Sequence, residues 1–394
     1  MIDLKNNMEK SRLNFGPNQP GGIYVHIPFC LKKCPYCDFY SITDTALMQR
    51  FISAVTHEMN MTCHLSFKFD TLYLGGGTPS VLETKSITRI IETASELYKF
   101  LPDSEITVEV NPGTVTYEKL REYKDAGVNR ISIGVQSFQE ENLSFLGRIH
   151  TVEDADSAIK WARDAGFENI GMDLIYGIPG QTRETWFGDL EHTVLYEPEH
   201  LSCYMLTYEP GTPMEKDLRK ETFRPMGGKM VGELFTATVE FLTGKGYDLY
   251  EISNFASAKN FRSRHNQKYW SFTPYVGLGP SAHSFMAHRR CWNKTSVTGY
   301  IKDLEEGRLP IDGEEVLSRE QMMTESIFVG LRRAEGIDVF EFNSRFDENF
   351  FKLFEKQIEV FKKKGLMVTD RTSCALTVKG MLFIDSIAAM LMGP

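Results

Sequence analysis

Six short apolar runs, each closed by glycine, proline or a polar residue, alternate with helical stretches between residues 22 and 210. They are GIYVHIP (22–28), TLYLGGGTP (71–79), EITVEVNPG (105–113), RISIGVQS (130–137), NIGMDLIYGIPG (169–180) and HLSCYMLTYEPGT (200–212). Between them DTALMQRFISAVTHEM, TYEKLREYKDAG, TVEDADSAIKWARDAG and QTRETWFGDLEHTVL carry the spacing of amphipathic helices. Asp44, Thr116 and Thr182 are the expected N-caps, and two of the stretches end in Ala-Gly, a helix stop. Such alternation predicts parallel strands joined by crossovers, in an open doubly wound sheet or an incomplete six-unit barrel. Polar residues collect just past each strand: His26, Gly75 to Thr78, Glu109, Gln136 and Asp173. Both architectures place their sites at the C-terminal ends of parallel strands, so these residues predict one shared mouth.

From about residue 247 the pattern changes. YDLYEISNFASAKNFRSRHNQKYW and TPYVGLGPSAHSF are rich in aromatics and turn residues and read as covering segments. After DLEEGRLPIDGEE, helices are expected over 319–334 and 345–364, then a hairpin from GLMVTD and CALTVKG, then a final helix in MLFIDSIAAML. That order is that of a small winged-helix α+β domain. The expected divisions are an arm (1–20), a core (21–245), a covering segment (246–310) and a C-terminal domain (311–394). The formal net charge of −9 argues against a nucleic-acid partner and for a packing or lid role of that last domain.

Apolar runs are too short and too often interrupted for a membrane span, and the N-terminal residues show no targeting pattern, so a cytoplasmic protein is expected. Of seven cysteines, Cys63, Cys203, Cys291 and Cys374 are scattered, as reduced thiols are. The other three stand together in CLKKCPYC (30–37). A four-iron, four-sulfur cluster held by three thiolates keeps one iron open to an outside ligand. Zinc with a fourth ligand such as His26 also suits this spacing, and a disulfide pair is a further reading. The glycines of GGGTPS bring backbone close to a bound molecule, while Glu109, Gln136 and Asp173 offer acceptors for hydroxyl and amino groups. Together with the cysteines they describe one cofactor site.

In these motifs the sequence resembles the radical S-adenosylmethionine enzymes, in the branch that holds oxygen-independent coproporphyrinogen III oxidase and the HemW-type heme chaperones. The likeness runs through YVHIPFCLKKCPYCDF, LYLGGGTPS, TVEVNPG, NRISIGVQSF, LGRIHT, MDLIYGIPG, RHNQKYW and GLGPSAHSF. It implies a partial (β/α)6 barrel and a cluster on Cys30, Cys34 and Cys37, with S-adenosylmethionine on the fourth iron. Reductive cleavage of that sulfonium would give a 5′-deoxyadenosyl radical, chemistry that belongs to the cofactor. The resemblance assigns Tyr24, Gly76, Gly77 and Thr78 to the methionine end of the cofactor. Glu109, Gln136, Arg148 and Asp173 fall on nucleoside or second-cofactor positions.

Within the branch, the oxidase motif carries a further Cys two positions after the third, and this chain has Phe39 there. HNQKYW (265–270) matches the HNxxYW motif of the chaperones. The resemblance therefore implies a heme chaperone that passes heme to an acceptor protein, with oxidase activity as the alternative and an electron donor left unnamed. His265 is the expected axial ligand of heme, His283 a rival, and Arg262 and Arg264 are expected partners of its propionates.

Overall fold

The computed structural model describes residues 19–65 and 68–392; most of the expected N-terminal arm, residues 1–18, lies outside the described residues. Strands β1 (Gly21–Ile27), β2 (Phe69–Gly76), β3 (Phe100–Val110), β4 (Arg130–Gln136), β5 (Ile170–Tyr176) and β6 (His200–Met205) lie side by side in chain order, all parallel. β1 and β6 do not pair, so the six βα units form a barrel open along one seam. Alternation along each strand decides which face turns outward. Ile23, Val25, Ile27, Leu72, Leu74, Val108, Ile131, Ile133, Val135, Met172 and Leu174 are fully buried in the main core cluster. Residues of the opposite parity are polar or small: Tyr24, His26, Tyr73, Gly75, Thr107, Glu109, Arg130, Ser132, Gly134, Asp173 and Ser202. The lumen is therefore a polar channel inside an apolar wall.

Crossover helices follow the predicted stretches at Met48–Thr62, Tyr117–Asp125, Val152–Asp164 and Arg183–Val194. Thr116 and Thr182 cap their helices through side-chain oxygens that accept from Lys119 and Thr185 N–H groups. Asp44 does not: its Oδ1 accepts from the Ala46 N–H, a local turn, and the helix starts only at Met48. Gly127 and Gly166 take up positive φ just past their helices, as the Ala-Gly stops require.

Residues 246–310 are not a separate cover. β7 (Asp248–Glu251) and β8 (Asn254–Ala256) extend the β6 edge antiparallel, while β9 (Tyr275–Leu278) pairs parallel with β1. β10 (His283–Met286), β11 (Arg289–Asn293) and β12 (Ile311–Val316) continue from β9 and complete one twelve-stranded sheet. These strands of three to six residues are too short to show a period, which is why the sequence pattern missed them. β12 also moves the start of the C-terminal domain beyond residue 311.

That domain has helices Arg319–Gly330, Val339–Phe346, Phe350–Lys363 and Ile384–Met392 around a small sheet of β13 (Ile337–Asp338), β14 (Met367–Thr369) and β15 (Ser373–Leu376). The single helix expected over 345–364 is broken: Asp347 sits at φ 48, and Asn349 caps a new helix by accepting from Lys352 N–H. Phe342 packs on Phe346 of its own helix at 4.8 Å, and across the break on Phe350 at 5.0 Å. The winged-helix-like arrangement is otherwise as expected.

Candidate cofactor site

The cysteine loop leaves β1 at Ile27 and is closed by its own backbone. Cys30 N–H donates to Ile42 O at 3.0 Å and Ile42 N–H to Pro28 O at 2.8 Å. The glycine strand lies against it, with Gly77 N–H on Ile27 O and Thr78 N–H on Phe29 O, both at 2.8 Å. A Cβ on Gly77 would stand 2.7 Å from Phe29 O and 3.1 Å from the Cys30 Sγ, and Gly76 combines φ +107 with a Cβ position 2.5 Å from His26 Nδ1. Only glycine fits at either place. Thr78 Oγ1 donates to Cys30 Sγ at 3.5 Å, and Arg148 Nη1 donates to Cys34 Sγ at 3.5 Å.

The three thiols sense one another: burial raises Cys37, and Cys34 and Cys30 push it the same way. Among the described residues, no three His, Cys, Asp or Glu side chains converge as a single ion needs. A four-iron, four-sulfur cluster would take one thiolate on each of three irons.

Above the loop the barrel mouth opens into a cavity of about 840 Å³. It brings together Cys37, Gly76, Gly77, Thr78, Glu109, Gln136, Arg148 and Asp173, as the sequence predicted. Gln136 is held at φ 70 where β4 is irregular, a strained conformation costing about 1–3 kcal/mol that aims its amide past Gly134. Arg148 is no surface charge: Nη2 donates to Gly134 O at 3.0 Å and Nη1 also reaches Tyr36 OH. Glu109 accepts from Tyr73 OH at 2.7 Å and Gly76 N–H at 3.2 Å.

Burial pushes Glu109 up to about 7, with Asp173 adding in the same direction. A carboxyl group raised in the fold favours the folded state fully below its unfolded value, near 4.3, and that advantage fades as pH rises through 7. The contribution is on the order of 3 kcal/mol. Glu109→Gln is expected to flatten the fall in stability between about pH 4.5 and 7, read from urea midpoints of the cofactor-free protein.

Other predicted residues lie elsewhere. Tyr24 is one layer below the mouth, its hydroxyl 3.0 Å from His26 Nδ1. His265 belongs to a short helix, Arg264–Trp270, that plugs the N-terminal end of the barrel. Its side chain is 1% exposed, with Nδ1 2.8 Å from Thr71 Oγ1 and Nε2 3.0 Å from Tyr269 OH. Both nitrogens are engaged and the ring does not line the cavity, so this geometry does not fit the expected axial ligand. Arg262 pairs with Glu335 at 2.6 Å and Arg264 with Asp103 at 3.3 Å, which leaves neither at the cavity. His283 is exposed on β10 and stacks on Trp292.

Several cavity residues were missed. Tyr73, Arg130 and Ser202 share lumen parity with residues that were found, so strand alternation could have named them. Asn266, Arg332, Met381, Leu382, Ile384 and Asp385 reach the cavity from distant segments, and no local signal marks them.

The family model described as the Radical SAM superfamily matches residues 24–192, and that of the HemN C-terminal domain matches residues 317–383. A curated relative, heme chaperone HemW of Bacillus subtilis, is 32% identical over 374 residues, covering 94% of this chain and 98% of its own. The chain belongs to the HemW heme chaperone family. Heme chaperone HemW of Lactococcus lactis is similar to it as well, 35% identical over 367 residues and covering 92% of this chain and 94% of its own. In fold, the chain is similar to the Escherichia coli coproporphyrinogen III oxidase, a radical SAM enzyme, with a TM-score of 0.82, 24% identity and coverage of 95% and 90%. As a radical SAM member of the HemW family the chain uses a four-iron, four-sulfur cluster and S-adenosylmethionine. The loop and lumen fit both, since the Cys37 thiol, a glycine edge and buried acceptors face one cavity and Cys30 and Cys34 stand on the same loop as Cys37. No helix among the described residues is long and apolar enough to cross a membrane.

Proposed function

We propose that this protein is a cytoplasmic heme chaperone: it binds heme beside the cluster and passes it to an acceptor protein. One observation carries the placement. The polar cavity runs into a second groove of about 1050 Å³, and the two share Met205, Leu206, Thr207, Val231 and Leu382. That groove adds Tyr208, Met226, Ala237 and Phe383 as apolar walls, and its edge carries Arg183 and Lys229 with Glu233 and Glu240, Lys229 lying 3.8 Å from Glu233. A flat macrocycle needs such apolar faces, and Arg183 at the edge can meet one of its carboxylates. Cys30, Cys34 and Cys37 would hold the cluster. Tyr24, Gly76, Gly77, Thr78, Glu109, Gln136, Arg148 and Asp173 would orient S-adenosylmethionine.

Phe39 favours the carrier over the oxidase. It is 66% exposed at the cavity rim, where it offers an apolar contact and no thiol. Titrating the anaerobically purified protein with heme is expected to give stoichiometric binding, and Met205→Glu is expected to weaken it by about tenfold by placing a carboxylate against the ring. No binding by the wild type would sink the reading. Decarboxylation of coproporphyrinogen III under reducing conditions would favour the oxidase.

A further inference from the structure

The guanidinium of Arg148 is tied down on two sides, and one of its bonds goes to a cluster ligand. Nη1 donates to Cys34 Sγ at 3.5 Å and to Tyr36 OH at 3.4 Å, while Nη2 donates to Gly134 O at 3.0 Å. The backbone fixes where the side chain starts. Helix Glu140–Phe145 ends in a turn in which Gly147 N–H donates to Ser144 O at 3.0 Å and Arg148 N–H to Leu143 O at 2.9 Å. Gly147 lies against the cysteine loop, where a Cβ would stand 2.7 Å from Pro35 Cδ. Leu146, in the same turn, is fully buried in a small core with Met214, and Tyr36 packs against that core. No ion pair found among the described residues includes Arg148, and its Nε is shielded from solvent without a partner. Neighbours feel the charge: burial lowers His150 to about 4, and Arg148 acts in the same sense. Asp173 faces the same cavity but feels Arg130 more than Arg148.

We infer that Arg148 is a positioning residue for electron uptake: it holds the Cys34 thiolate and raises the reduction potential of the cluster bound there. One electron taken from an outside reductant adds one negative charge, which stays on the cluster. A guanidinium at hydrogen-bond distance from a ligand sulfur favours that more negative form, both by its charge and by its N–H bond. Lysine would keep the charge, but it has no planar fork to span Gly134 O and Cys34 Sγ together. The effect holds whether or not the protein carries heme.

The full-length protein would be reconstituted anaerobically without S-adenosylmethionine, so that any part Arg148 has in holding the nucleoside does not enter. It would then be poised at the wild-type midpoint with dithionite and a viologen mediator, and the reduced cluster read by electron paramagnetic resonance. Arg148→Gln is expected to cut the ratio of reduced to oxidised cluster about tenfold, which is about 59 mV for a one-electron couple. Arg148→Lys should cut it less, by about threefold. Leu146→Ala loosens the same turn without touching a charge, so its thermal midpoint should fall while the ratio stays within about twofold of wild type. If Arg148→Gln takes up no cluster, Arg148→Lys and Leu146→Ala are compared in the same way. An unchanged ratio in the arginine variants, or a fall in Leu146→Ala as large as theirs, would overturn the assignment.

Discussion

Gly77→Ala is expected to yield a folded protein that carries little cluster. The new methyl group would press on Phe29 O at 2.7 Å, Ile27 O at 2.9 Å and Cys30 Sγ at 3.1 Å. Neither carbonyl can swing aside as a flexible side chain could, because Ile27 O and Phe29 O accept the Gly77 and Thr78 N–H groups. The strain, about 1–3 kcal/mol, falls on the turn that leads into the first cluster ligand. The wall of the barrel, where Ile23, Val25 and Leu74 pack, is untouched. Iron and acid-labile sulfide after anaerobic reconstitution should therefore drop far more than the thermal midpoint. Gly244→Ala is the control: it lies at the end of helix Gly228–Gly244, where a Cβ meets nothing within 4 Å, and cluster content should stay at the wild-type level. Full cluster in Gly77→Ala would mean that the loop tolerates a wider spacing than the backbone bonds imply.

The parallel barrel was legible because each of its strands is long enough to end in a recognisable stop, and each crossover is long enough to show helical spacing. Glu109, Gln136 and Asp173 could be placed in one mouth without coordinates for the same reason: topology alone sends strand ends to one rim. Arg148 depends on more than topology. It follows Gly147 at φ 67, and only the packing of that turn against Pro35 points its side chain at the cysteine loop. Long-range closure was not legible at all. Asn266 and Ile384 lie far from the barrel strands in sequence and meet the cavity only once the sheet edges and the C-terminal domain are in place. His265 shows the opposite error. A histidine among aromatic residues invites a ligand role, whereas the fold uses it to fill the barrel floor.

His265→Ala separates those two roles. The imidazole lies within 5.1 Å of the Tyr73 ring and 6.2 Å of the Tyr24 ring, both stacked, and bonds Thr71 and Tyr269 from opposite nitrogens. Truncation would leave a cavity under the lumen and two buried hydroxyls without that partner, a loss of about 3 kcal/mol. The pH dependence carries a second signature. Burial lowers His265 to about 3, with Lys268 and Arg130 acting in the same sense. A histidine lowered in the fold contributes stability above its unfolded value, near 6.5, and that contribution is lost as pH falls toward 3. The gap in urea midpoint between wild type and His265→Ala should thus be widest at neutral pH and narrow in acid. Heme stoichiometry should not change in the fraction that remains folded, because the ring is sealed beneath Tyr24 and Tyr73 and faces no cavity. Loss of stoichiometric heme with an unaltered urea midpoint would reverse the assignment and return His265 to the iron.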